Sequence, residues 1–242
     1  MSGRPLAALL VVMALLAAGC GGAEGSGPDR APTPAAGPGV AAPDPDPPPS
    51  SAAARRVVFL GDSLTAGLGL APDESFPALI QDRLRERGQG WTVVNAGVSG
   101  DTSAGGLRRL EWAMDGGAAV VVVALGGNDG LRGLPVDELA RNLDAIVARA
   151  KAAGAAVILA GMEAPPNTGA DYTGRFRAVF RDVADRQEVT LLPFLLDGVA
   201  GEPALNQADG IHPNPEGARR VADHVWRTLE PVIAARERTR SE

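Results

Sequence analysis

From Arg55 onward the chain alternates between short unbroken apolar runs and apolar positions spaced three or four apart. Val57-Val58-Phe59-Leu60 is such a run, ended by Gly61, and Phe76, Leu79, Ile80 and Leu84 follow at helical spacing. Trp91-Thr92-Val93-Val94-Asn95 reads as a second strand, and Leu107, Leu110 and Met114 mark a second helix. Ala119 to Leu125, with four consecutive valines, is the plainest strand in the chain. Leu139, Leu143, Ile146 and Val147 then form a helical stripe, Val157-Ile158-Leu159 a fourth strand, and Phe176, Val179, Phe180 and Val183 another stripe. Val189 to Leu192 is the fifth strand, and Val221, Val225 and Leu229 lie on one face of a last helix. Strands that are apolar on both faces and alternate with helices predict a parallel sheet covered on both sides. The expected fold is one doubly wound α/β domain over residues 55–235, with five parallel strands in a flavodoxin-like arrangement. Residues 236–242 are expected to be a disordered tail.

The first 54 residues have a different pattern. A single base, Arg4, precedes an apolar run from Pro5 to Ala18. That run is short of the about 20 residues a membrane span needs, and it fits the apolar segment of an export signal over residues 1–19. It ends in Leu16-Ala17-Ala18-Gly19-Cys20, which resembles a bacterial lipoprotein cleavage box, with Ala17 where such boxes usually carry leucine. Cys20 is the only cysteine in the chain. It would become the lipid anchor, holding an exported protein on a membrane of the bacterial cell envelope. The alternative is a plain secretory signal and a soluble secreted product. Residues 21–54 contain nine Pro, six Gly and nine Ala in 34 positions. Such a segment buries no core and reads as a disordered tether behind Cys20, whether or not it also acts as a spacer.

Composition narrows the function. With 23 basic against 29 acidic residues, a net charge of −6 and 4% aromatics, the chain offers nucleic acid neither a basic patch nor a stacking platform. One cysteine forms no internal disulfide, and with only two histidines it builds no ordinary structural zinc site. The expected molecule is a monomer that needs no metal.

In a doubly wound sheet, ligands bind at the carboxyl ends of the strands. The first strand delivers Gly61-Asp62-Ser63-Leu64, which could place a hydroxyl at the rim or merely cap a helix. The second delivers Asn95-Ala96-Gly97-Val98-Ser99-Gly100-Asp101-Thr102, where Gly97 could bring a backbone N–H close to a bound oxygen or simply make a turn. The third delivers Gly126-Gly127-Asn128-Asp129, with Asn128 either facing the cleft or forming the turn. The loop before the last helix carries Asp209-Gly210-Ile211-His212-Pro213-Asn214. Asp and His three apart can place a carboxylate on one imidazole nitrogen and leave the other to take a proton, unless the histidine simply faces solvent. His224 falls within the last helix and reads as structural or surface.

Taken together, these blocks resemble the SGNH hydrolases, also called the GDSL esterase/lipase family. The similarity is greatest to its bacterial thioesterase I / lysophospholipase L1 / arylesterase group. It rests on Gly61-Asp62-Ser63-Leu64-Thr65-Ala66-Gly67, on Gly126-Gly127-Asn128-Asp129-Gly130-Leu131-Arg132-Gly133-Leu134-Pro135, on Ala164-Pro165-Pro166-Asn167, and on Asp209 through Trp226. It spans about residues 56–232.

The resemblance implies Ser63 as the nucleophile, His212 as its general base and Asp209 as the group that orients the imidazole. It further implies an oxyanion hole of the Ser63 and Gly97 backbone N–H groups with the Asn128 side chain, and no cofactor. Competing motifs are missing: Thr65 breaks Gly-x-Ser-x-Gly, and the one lysine, Lys151, precedes Ala152 and so builds no phosphate loop. The leading expectation is hydrolysis of small esters or thioesters of lipid-like acyl groups. Leu70, Leu131, Leu134, Pro165, Pro166 and Tyr172, together with Leu68, are expected on mostly apolar rim loops suited to an acyl chain. A carbohydrate O-acetylesterase on the same scaffold and a non-enzymatic envelope lipoprotein are the alternatives. The first would call for aromatic platforms and polar forks, and the intact Ser63, Asn128, Asp209 and His212 argue against the second.

Overall fold

The computed structural model describes residues 55–241. The expected signal (1–19), Cys20 and the 20–54 tether lie outside the described residues. Five strands form one sheet: β1 (Arg56–Gly61), β2 (Thr92–Gly97), β3 (Val120–Ala124), β4 (Ala156–Ala160) and β5 (Thr190–Leu192). All four pairings are parallel, in the order β2-β1-β3-β4-β5. The expected doubly wound α/β architecture is the observed one. The order reverses at β1, so the carboxyl ends of β1 and β3 flank the switch point where such sheets hold ligands.

Burial explains the composition of the strands. β1 and β3 are central and buried almost throughout, and β-branched valine fits that pleated, two-sided environment. β2 is an edge strand, half exposed, and carries Thr92 and Asn95. The main helices are α2 (Phe76–Glu86), α3 (Ser103–Ala113), α5 (Val136–Ala152), α6 (Ala170–Gln187) and α7 (Pro215–Ser241). Helices α3, α5 and α6 pack side by side, and α2 and α7 pack on each other, which gives the two covering layers. Two single-turn helices, α1 (Ser63–Ala66) and α4 (Gly127–Leu131), directly follow β1 and β3. A four- or five-residue turn is too short to show an apolar stripe, so periodicity does not reveal them.

The expected tail is not a tail: α7 continues through residue 236 to Ser241. Glu237 accepts a hydrogen bond from the buried Trp91 indole at 2.9 Å, and Arg236 donates to the Gly154 carbonyl. Further back, Arg83 on α2 and Arg87 at its C-cap pair with Asp223 and Glu230 on α7, and both guanidinium groups lie over the Trp226 ring. These contacts continue the α2–α7 seam into the last turns of the helix.

Truncation after Ala235 strips Trp91 of its carboxylate partner. A hydrogen bond to a charged group is worth roughly 1.5–3 kcal/mol. Truncation should therefore lower unfolding stability by about 2 kcal/mol in urea titration while leaving the far-ultraviolet dichroism of the remainder intact.

Candidate active site

Ser63 is the first residue of α1, one residue beyond Asp62, whose Oδ1 accepts the Leu64 N–H at 3.0 Å and caps the turn. The turn lies tight against the sheet. A Cβ on Gly61 would meet Thr65 Oγ1 at 1.9 Å, and one on Gly97 would meet the Ala66 nitrogen at 2.2 Å. Glycine at both strand ends is therefore a packing requirement of α1.

Opposite stands the loop before α7. His212 Nε2 is 2.9 Å from Ser63 Oγ, and His212 Nδ1 is 2.7 Å from Asp209 Oδ2. Asp209 Oδ1 accepts the N–H groups of His212 at 3.0 Å and Ile211 at 2.9 Å. Those two amides and the imidazole hold the exposed Asp209 carboxyl down at about 2. An ionised Asp209 accepts from Nδ1–H, which leaves Nε2 bare to accept the Ser63 hydroxyl proton. The geometry is that of a hydroxyl whose proton can be withdrawn along a line of two hydrogen bonds.

The loop is held by side chains that sequence reading passes over. Gln207 Nε2 donates to the Leu68 carbonyl at 2.7 Å and to Pro213 at 3.0 Å, linking the histidine loop to the serine turn. Asn214 Oδ1 accepts the Gly217 N–H at 3.0 Å at the start of α7, and its amide donates to Ala204 at 2.8 Å. Isolated amides in loops carry no periodic signal, so only their partners reveal them. His224, as expected, is structural: its Nε2 bonds the Phe194 carbonyl at 2.9 Å.

Asn128 lies on α4, with its Nδ2 donating to Asp62 Oδ2 at 3.3 Å, which brings it beside the serine turn. Gly97 is a correction. Its N–H donates to Asn95 Oδ1 at 3.0 Å, and it lines a separate depression with Ala66, Ser75 and Asn95. The residue is glycine because α1 crosses it closely, not because its amide is free.

A narrow cleft, partly open to solvent, runs from Ser63 and His212 between Leu64, Leu68, Leu70, Phe76, Leu195, Leu196 and Val221. Of the expected pocket residues, Leu70 lines it, and Leu131, Leu134, Pro165, Pro166 and Tyr172 do not. Leu131 is 52% exposed. Tyr172 instead donates to the Leu134 carbonyl at 2.8 Å and so supports the segment after Asn128. Leu195 and Leu196 are missing from the expectation because their loop is set by a long-range contact. Leu195 N–H bonds Gly161 O at 2.9 Å, and a Cβ on Gly161 would strike the Pro193 carbonyl at 2.0 Å.

Residues 59–220 match the model of the GDSL-like lipase/acylhydrolase family. The chain belongs to that family. Esterase TesA of Pseudomonas aeruginosa is 45% identical over 183 residues, 75% of this chain and 91% of that protein. Thioesterase 1/protease 1/lysophospholipase L1 of Escherichia coli K12 is 38% identical over 184 residues, 76% and 87% of the two chains. A crystal structure of TesA superposes with a TM-score of 0.70 at 44% identity, covering 73% of this chain and 99% of that one.

Asp209, depressed to about 2, carries its charge at every pH above roughly 3. Its contribution to stability is present above the ordinary value of 3.8 and is lost only as pH falls towards 2. Loss of ester hydrolysis between pH 5 and 7 is therefore not its titration. Asp209→Asn should lower kcat/KM by on the order of 10³–10⁴ at all pH values, because Nδ1 loses the acceptor that sets its tautomer.

Proposed function

We propose that this chain is a serine esterase that hydrolyses carboxyl esters and thioesters of lipid-like acyl groups through an acyl-Ser63 intermediate. The observation that carries the reading is the continuous series Ser63 Oγ, His212 Nε2, His212 Nδ1 and Asp209 Oδ2 at 2.9 and 2.7 Å, at the mouth of an apolar cleft. Ser63 Oγ attacks the acyl carbon as its proton moves to His212 Nε2, and the carbonyl π pair moves onto oxygen. Collapse expels the alcohol or thiol, which takes the proton from Nε2. Water then attacks the acyl-serine with His212 again as base, releasing the acid and restoring the hydroxyl. Asp209 stays ionised throughout and stabilises the imidazolium.

The oxyanion would be met by the Ser63 N–H, the Asn128 amide and one backbone N–H from the loop after β2. For that last donor we assign Gly100 in place of Gly97. In support, Gly100 sits at φ +81°, its N–H bonds to nothing among the described residues, and its carbonyl is tied at 2.8 Å to Arg132, just beyond Asn128. Each such donor is worth about 3 kcal/mol in the transition state.

The substrate class follows from the cleft. Leucine, phenylalanine and valine walls lower the free energy of an acyl chain by about 0.8 kcal/mol for each methylene they cover, and they give a sugar hydroxyl nothing to bond. We further assign the amino-terminal segment to export and Cys20 to lipid attachment, on the sequence pattern alone. Among the described residues no helix is long and apolar enough to cross a membrane.

Ser63→Ala should reduce turnover of p-nitrophenyl esters below a few per cent of wild type with an unchanged Tm. In a panel from acetyl to palmitoyl, kcat/KM should rise beyond acetyl, and acetylated sugars should be poor substrates. A preference for the sugar acetates would replace the lipid reading. Cys20→Ser should shift the protein from the membrane to the soluble fraction with ester hydrolysis retained. Unchanged fractionation would reject the anchor.

A further inference from the structure

Two carboxylates buried beside the site, Asp62 and Asp129, take no part in the mechanism above. Asp62, 2% exposed, stands between the serine turn and Asn128. We propose that Asp62 is a positioning residue whose carboxylate selects the orientation of the Asn128 amide, turning its N–H groups rather than its carbonyl toward the oxyanion position. The inference rests on the reading of Asn128 as an oxyanion donor.

A carboxylate only accepts hydrogen bonds. Oδ1 is already committed to the Leu64 N–H at 3.0 Å, and Oδ2 faces the Asn128 side chain at 3.3 Å. The amide can satisfy Oδ2 in one way, by presenting its NH₂. One N–H is then held by Asp62 and the second stays free, with the carbonyl turned away. Glycine at 127 permits the approach, since a Cβ there would lie 3.1 Å from Asp62 Oδ2.

A proton on Oδ2 reverses the logic. The carboxyl becomes a donor, the amide is satisfied by a half-turn that brings its carbonyl to Asp62, and a lone pair then stands where the oxyanion needs an N–H. The proton has one place to go, because the Leu64 N–H keeps Oδ1 an acceptor. Burial pushes the Asp62 carboxyl up to about 6, against the opposing pull of the Leu64 amide, the Asn128 side chain and the nearby His212. His212, from the loop before α7, is the charged group that bears on Asp62. The folded-state value lies above the ordinary 3.8, so holding Asp62 charged costs stability. That cost is absent below about pH 4 and complete above about pH 6. The fold retains an unfavourable charge beside the reacting atoms, a pattern that fits a role in function better than one in stability.

Asp62→Asn tests this without changing shape. Leu64 N–H keeps the new amide's oxygen as its acceptor, so the new NH₂ faces Asn128 and forces its carbonyl round. Expected results are a kcat about a hundredfold lower with KM within about twofold, as for loss of one oxyanion donor, and a Tm at pH 8 equal to or above wild type. Asn128→Ala should lose a similar factor, and the double variant should be no slower than either single one. In the wild type, log(kcat/KM) should fall below pH 6 with a slope greater than one, since Asp62 takes up a proton beyond the one that stops the general base. The slope should be one in Asp62→Asn. Losses that multiply in the double variant, a wild-type kcat in Asp62→Asn, or a slope of one in the wild type would each overturn the role of Asp62 alone. The wild-type slope decides the matter even where a variant fails to fold. Unimpaired Asn128→Ala would overturn the oxyanion reading as well, and an active Ser63→Ala the whole serine mechanism, so the failures are distinguishable.

Discussion

Helix α3 braces the carboxyl edge of the sheet through two ionic contacts, and the serine turn, the Gly100 loop and the Asn128 turn adjoin that brace. Near its middle, Arg109 donates to the Gly61 carbonyl at 2.7 Å, to the Ala96 carbonyl at 2.7 Å and to Asp101 at 2.6 Å. One planar guanidinium thus fixes the ends of β1 and β2 and the loop that carries Gly100. At the start of the helix, Ser103 donates through its N–H and its hydroxyl, at 2.8 and 2.6 Å, to the buried Asp129, which follows Asn128 on α4. Three strand ends are tied to one rigid rod. Both acceptors are carbonyls at strand ends, and that of Gly61 accepts the Val98 N–H at 3.0 Å as well as the guanidinium. The fork of an arginine satisfies two at once, which the single ammonium of a lysine does not do with the same geometry.

Two carboxylates near His212 show how environment sets the chemistry of one residue type. Asp209 is exposed, accepts two backbone N–H groups and an imidazole, and is held down at about 2. Asp62 is buried, and desolvation outweighs its hydrogen bonds, so it is pushed up to about 6. The first is a permanent charge suited to stabilising an imidazolium. The second changes state within the working range of histidine. Separated values of this kind assign roles within a site more reliably than residue names do.

The cleft divides its walls between near and distant sequence. Leu64, Leu68 and Leu70 come from the serine turn itself, whereas Leu195 and Leu196 arrive from beyond β5 and Val221 from α7. Substrate range is therefore open to change in three segments without disturbing the Ser63–His212–Asp209 series, consistent with a fold whose machinery is constant and whose substrates vary.

The sequence by itself determined the architecture. Unbroken apolar runs and helical stripes depend on local spacing, and five parallel strands with two helical layers follow from them. It also marked Ser63, Asn128, Asp209 and His212 as neighbours, because they stand at strand ends or in the last loop, where the topology must bring them together. Tertiary structure decided what depended on close approach between distant segments. Gly97 is required by the backbone of α1, and its amide is spent on Asn95. Tyr172 holds the Leu134 carbonyl, whereas the cleft wall is built from Leu195 and Leu196. The last turns of α7 are ordered by the Trp91 indole, 146 residues away from Glu237. Asp62 looks like a helix cap in the sequence, and it is one. Only burial beside Asn128 and His212 raises its proton affinity, and burial is a property of the packed molecule that no local pattern encodes.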